Sequence, residues 1–99
     1  MQLSTAQRAT LISLLRGLPI ERAFLWGSYA RGDADLKSDV DVFLIVHREN
    51  FDERRMWMVR KEFLRSAGLH LDVYLSHTLP AFLLPEVKRD LAPLFVKEE

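Results

Sequence analysis

The chain has 99 residues, 48% of them hydrophobic and 28% charged, which is material for one domain, residues 1–99, around one core. Lys plus Arg and Asp plus Glu number 14 each, so the formal net charge is zero and the basic surface expected of a nucleic-acid-binding domain is missing. There is no cysteine, which excludes disulfides, thiolate metal sites and thiol nucleophiles.

No apolar stretch reaches membrane-spanning length and no signal-peptide pattern opens the chain, so a cytoplasmic location away from membranes is expected. A domain this small has no room for a large enclosed cavity. A sizeable substrate must lie in an open cleft or arrive with a partner.

Ser4 and Gln7 have the spacing of a capping box, and Leu11, Leu14, Leu15 and Leu18 recur at helical intervals. They predict a helix over residues 5–16, ended by Gly17 in a left-handed conformation. The apolar run Ala23 to Trp26 stops at Gly27 and reads as a strand. Ser28 to Arg31 can form one helical turn capped by Ser28, and residues 32–38 are polar and turn-rich, hence a loop. Val40 to Val46 carries one charge, Asp41, and predicts a strand buried on both faces beyond its first residues.

Asn50 or Asp52 can cap a helix running to about Ser66, with Met56, Val59 and Phe63 as its apolar stripe and Gly68 as its end. Leu69 to Leu75 reads as a third strand. Pro80 starts a helical segment that Pro85 divides, and residues 86–91 form a short helix. Leu94 to Val96, after Pro93, predicts a last strand at a sheet edge. This alternation implies an α/β fold, a small sheet with helices packed on it.

Asp39 and Asp41 carry the chemistry of this pattern. Two residues apart at the entry of a strand, they point to one face, with Val40 and Val42 on the other. Carboxylates so placed repel unless a cation sits between them. Mg²⁺ fits, because it binds through one or two carboxylates together with substrate phosphates. Asp72 lies between Leu71 and Val73 in an apolar strand, where an unpartnered charge is costly. Beside the Asp39–Asp41 strand it would complete a set of three carboxylates able to hold two metals, and it is a candidate base for an attacking hydroxyl. Gly27 lets the backbone approach a phosphate, Ser28 offers a hydroxyl and the amides of a helix start, and Arg31 can add charge toward a triphosphate.

The string Trp26-Gly27-Ser28-Tyr29-Ala30-Arg31-Gly32, followed by Ser38-Asp39-Val40-Asp41, resembles the signature of the polymerase beta nucleotidyltransferase superfamily, and within it the minimal, MNT-domain branch. The element order fits over essentially the whole chain. The resemblance implies a polymerase beta-like fold. It also implies Mg²⁺-dependent transfer of a nucleoside monophosphate, AMP from ATP, to a hydroxyl, with release of pyrophosphate. Asp39, Asp41 and Asp72 would be the metal and catalytic residues, and Gly27, Ser28 and Arg31 the nucleotide-binding ones. Many minimal members are similar to antitoxins that add AMP to a tyrosine of a HEPN-domain RNase toxin, so the resemblance implies such a partner. Two other readings stay open: an antitoxin that works by binding alone, and a transferase acting on a small molecule such as an aminoglycoside.

Other features read plainly. His47, His70 and His77 fall at strand ends without metal-ligand spacing, although His70 shares a strand face with Asp72. Arg54, Arg55, Arg60, Lys61 and Arg65 make the second helix basic, read as a solvated face, with contact to an acidic partner or to phosphate as the alternative. Trp57 and Met58 widen its apolar surface and read as core packing, with a partner-binding patch as the alternative.

Overall fold

The computed structural model describes residues 1–97. Helix α1, Thr5–Arg16, begins as a capping box dictates: the Gln7 amide donates to Ser4 Oγ at 3.0 Å and the Ser4 amide to Gln7 Oε1 at 2.9 Å. Gly17 ends it at φ −72° and ψ −9°, in the right-handed region and not the left-handed cap expected. Its amide donates to the Leu14 and Leu15 carbonyls, so a tightened last turn closes the helix with no need for positive φ.

Four strands follow: β1 (Arg22–Trp26), β2 (Val40–Ile45), β3 (Leu71–Leu75) and β4 (Ala92–Val96), in the sheet order β3-β2-β1-β4. β1 runs antiparallel to both β2 and β4. β2 and β3 are parallel, joined by the crossover helix α3, Glu53–Ala67. Asp52 caps α3 by accepting from the Arg54 and Arg55 amides, and Gly68 ends it at φ 73°.

Alternation decides the layers. Ala23, Leu25, Val40, Val42, Leu44, Leu71 and Leu75 are buried on one sheet face, in a cluster with Leu11 and Leu15 of α1 and Met56, Val59 and Phe63 of α3. The opposite face carries Phe24, Phe43, Ile45, Asp41, Asp72 and Tyr74, all half-buried. β2 is therefore covered on one face and not, as its apolar run implied, on both. The reason is that α1 and α3 lie together on one side. Phe43 and Ile45 find partial cover from neighbours such as Phe24, its ring centroid 6.4 Å from that of Phe43.

Three short elements also differ from expectation. Helix α2, Ser28–Arg31, is one turn with Gly27, and not Ser28, at its N-cap. A 3₁₀ turn at Ala81–Leu83 leads into α4, Leu84–Asp90, in which Pro85 stands in the first turn. Proline starts this helix and does not divide it, because a first-turn residue has no helical N–H partner to lose. Pro93 lies inside β4, beside a register shift against β1, which an edge strand tolerates. Among the described residues no helix is long and apolar enough to cross a membrane.

Phe63 is fully buried and joins α3 to the sheet. Phe63→Ala is expected to cost about 3–5 kcal/mol, read as a lower urea midpoint with an unchanged slope.

Candidate active site

The polar loop before β2 folds on its own side chains. The Asp35 amide donates to Ser38 Oγ at 2.9 Å and the Lys37 amide to Asp35 Oδ1 at 2.8 Å. That turn delivers the exposed Asp39 to the strand entry, where the Val40 amide donates to the His70 carbonyl at 2.8 Å. The starts of β2 and β3 are thereby locked level, and the parallel register sets Asp41 opposite Asp72. Paired strand residues point to one face, so Asp39, Asp41 and Asp72 share the sheet face away from α1 and α3.

Three carboxylates this close perturb one another. Burial, then the charges of Asp72 and Asp39, push Asp41 up to about 6, with Arg31 opposing. Asp72 is also raised, by burial first and then by the charge of Asp39 and a hydrogen bond with it; Arg60 and His70 oppose. The Tyr74 hydroxyl is raised by burial and by the charges of Asp41, Asp72 and Asp39, which places it at the border of the cluster. Trp26 pairs with Asp41 from β1, and its ring meets that of Tyr74 edge-on at 5.0 Å across β2. Trp26 is buried and Tyr74 half-buried on the same sheet face as Asp41.

Gly27 stands at φ 74°, and a Cβ there would lie 2.5 Å from Asp41 Oδ2. Glycine is required twice, for its backbone conformation and for the space of the carboxylate. Ser28 follows as the first residue of α2, so the Gly27-Ser28 pair borders the cluster on its β1 side. Arg31 is engaged elsewhere. Its Nη1 donates to Asp90 at 2.7 Å and its Nε to Asp33 at 3.1 Å. Its charge still reaches Asp41, where it opposes the raised pKa.

Asp90 was not singled out in the sequence. Its side chain is 3% exposed and also accepts from Arg89 at 2.9 Å; the two guanidiniums hold its carboxyl below the usual range. The Arg31–Asp90 pair spans 59 residues, and no local pattern announces it. The sequence reads Arg60 as part of a solvated face. Its Nε in fact donates to the Leu71 carbonyl at 3.0 Å, and its Nη2 stands 4.0 Å from Asp72 Oδ1. His47 contacts Glu21 and His77 lies edge-on to Phe51, while His70 lines a cleft with Asp39 and Asp72. As the side chains lie, no three His, Asp or Glu groups among the described residues stand round one point able to hold a metal ion.

A family model described as polymerase beta, nucleotidyltransferase, matches residues 9–99. The chain belongs to this nucleotidyltransferase family. A solved structure of a proposed minimal nucleotidyltransferase is 25% identical, with TM-score 0.76, over 94% of this chain and 96% of that one. A toxin–antitoxin structure with AMP-PNP shares the fold at TM-score 0.76 and 19% identity, over 92% of this chain and 74% of that one. So does the complex of a tri-AMPylated Shewanella oneidensis HEPN toxin with an MNT antitoxin, at TM-score 0.69 and 17% identity, over 93% and 71%. No curated protein matches the chain. The polymerase beta-like α/β fold, a mixed sheet with helices packed on it, is as the sequence implied.

Between about pH 4 and 6 the folded nucleotidyltransferase domain holds a proton on Asp41 that the unfolded chain has released. The contribution of this group to stability therefore falls as pH rises through that window and is level above it. In metal-free protein, Asp41→Asn is expected to raise Tm at pH 8 and to leave it nearly unchanged at pH 4. A pH-independent difference would contradict the cluster's repulsion. Gly27→Ala is expected to lower Tm at both pH values.

Proposed function

We propose that the chain is a Mg²⁺-dependent nucleotidyltransferase that moves AMP from ATP to a hydroxyl, a tyrosine of a HEPN-domain toxin, and acts as that toxin's antitoxin. The observation that carries this reading is Asp39, Asp41 and Asp72 on one sheet face, with Asp41 pressed against Gly27. The comparisons support it at the level of family and fold.

The donor set fits the metal. Mg²⁺ takes oxygen ligands and completes its shell with water and phosphate, so it does not require a preformed protein cage. The raised Asp41 and Asp72 carry a repulsion that a divalent cation relieves. Asp39, Asp41 and Asp72 would hold one or two such ions, which when bound neutralise charge on the phosphates.

The chain's own residues supply the rest. Gly27 leaves room for the Asp41 carboxylate, and Ser28 would donate to the triphosphate from its hydroxyl and from an amide that precedes the first turn's bonds. Arg31, held by Asp33 and Asp90, tempers the charge at Asp41 from that position. The acceptor oxygen attacks the α-phosphorus. A P–O bond forms, the bridging P–O bond to the β-phosphate breaks, and pyrophosphate leaves. The acceptor's proton goes to Asp72, the carboxylate set beside Asp41 by the strand register.

A second reading is neutralisation by binding alone, which needs contact with the partner and no metal. Intact-mass analysis of a HEPN-domain partner, after incubation with Mg²⁺ and each nucleoside triphosphate, separates the two. The transferase reading expects the partner to gain one or more AMP units, and the gain to fall to background with Asp39→Asn or Asp41→Asn. Wild-type transfer by either variant would overturn the assignment. Neutralisation without any mass gain would establish the second reading.

A further inference from the structure

Helix α3 has two stripes. Met56, Val59 and Phe63 face the core. Trp57, Arg60, Lys61 and Leu64, at spacings i, i+3, i+4 and i+7, form a second stripe turned toward the carboxylates. With Asp39 and Asp72 they line one open cleft of about 580 Å³ that wraps round the β3 edge of the sheet. Trp57 is 56% exposed and Leu64 40%, so the core-packing reading of Trp57 does not hold. The Lys61 ammonium lies 4.6 Å from the centre of the Trp57 ring.

Direction follows from the order of groups across the sheet. Gly27 and Ser28 stand on the β1 side of Asp41, and Asp72 stands on the β3 side. With a triphosphate at Gly27-Ser28, its leaving group occupies the β1 side. In-line displacement then brings the attacking oxygen from the β3 side, past Asp72. The second stripe of α3 borders that approach.

Its charge identifies the chemistry that fits. Arg54, Arg60 and Lys61 are basic on this part of α3. Among the described residues neither Arg54 nor Lys61 has a carboxylate within 4.0 Å, and the nearest to Arg60 is Asp72 itself. The apolar Trp57 and Leu64 beside them suit a folded or peptide surface. Stacked bases are a poorer fit, since Lys61 covers a face of the Trp57 ring and the chain as a whole is neutral. The geometry points to the Trp57–Lys61–Leu64 stripe as the docking surface for the acceptor, a protein segment in which acidic residues flank the hydroxyl to be modified. This rests on the transferase reading for its direction, and its test separates the two.

Three dye-labelled probes are titrated by fluorescence anisotropy with the full chain at low salt: a single-tyrosine peptide flanked by glutamates, the same peptide flanked by lysines, and a single-stranded RNA oligonucleotide. Transfer to both peptides, with ATP and Mg²⁺, is followed in parallel. The glutamate peptide is expected to bind tightest. Trp57→Ala and Lys61→Glu are each expected to weaken it roughly ten-fold, the scale of one interfacial anchor. Lys61→Glu is expected to shift preference toward the lysine peptide. Where transfer is detected, the variants raise KM for the glutamate peptide and leave kcat and the KM for ATP unchanged. Selective binding without transfer would uphold the surface and count against the transferase reading. Equal binding of the two peptides by wild type, or variants that bind the glutamate peptide as wild type does, would overturn the surface. RNA binding in place of the glutamate peptide would overturn it in favour of nucleic acid.

Discussion

The parallel pairing of β2 with β3 sets Asp41 beside Asp72, and most of the site's properties follow from that register. A shift of one residue would turn Asp72 to the helix-covered face and bring Leu71 or Val73 out in its place. The register is held by the hydrophobic pattern: Val40, Val42 and Leu44 face the helices from β2, and Leu71 and Leu75 do so from β3. The energy of burying those side chains thus holds three like charges together on the other face, against their repulsion.

The surroundings limit that repulsion without cancelling it. Arg60 reaches Asp72 from α3 and ties the start of β3 through the Leu71 carbonyl. Arg31 acts on Asp41 from the β1 side, while Asp33 and Asp90, the latter also bound by Arg89, take up its hydrogen bonds. The burial of Asp41 acts in the opposite sense. The result is a carboxylate pushed up to about 6 with no cation present. A site in this condition gains from a divalent ion, and a phosphate-bearing substrate gains from the same ion.

Much of this was legible in the chain. The capping box at Ser4, the strand ending at Gly27 and the alternation that turns Asp39 and Asp41 to one face are local patterns, and local patterns survive folding. Asp72 stood out because a charge inside an apolar strand needs a reason. Legibility failed where the decisive contact was long-range. The Arg31–Asp90 bond, the hold of Arg60 on β3 and the Trp26–Tyr74 ring contact depend on which elements meet. It failed also where one composition fits two environments: β2 reads as doubly buried until both helices prove to lie on one side. Trp57 reads as core until the second stripe of α3 proves to face the cleft.

The central claim is that Asp39, Asp41 and Asp72 form a charge-strained cluster relieved by a divalent cation. The most direct measurement follows the Asp41 carboxyl carbon by NMR as pH is varied, first without metal and then with Mg²⁺ and a non-hydrolysable ATP analogue. The account predicts titration near pH 6 in the metal-free protein and a shift below the ordinary carboxylate range when metal and nucleotide are present. An ordinary titration that Mg²⁺ does not move would contradict it.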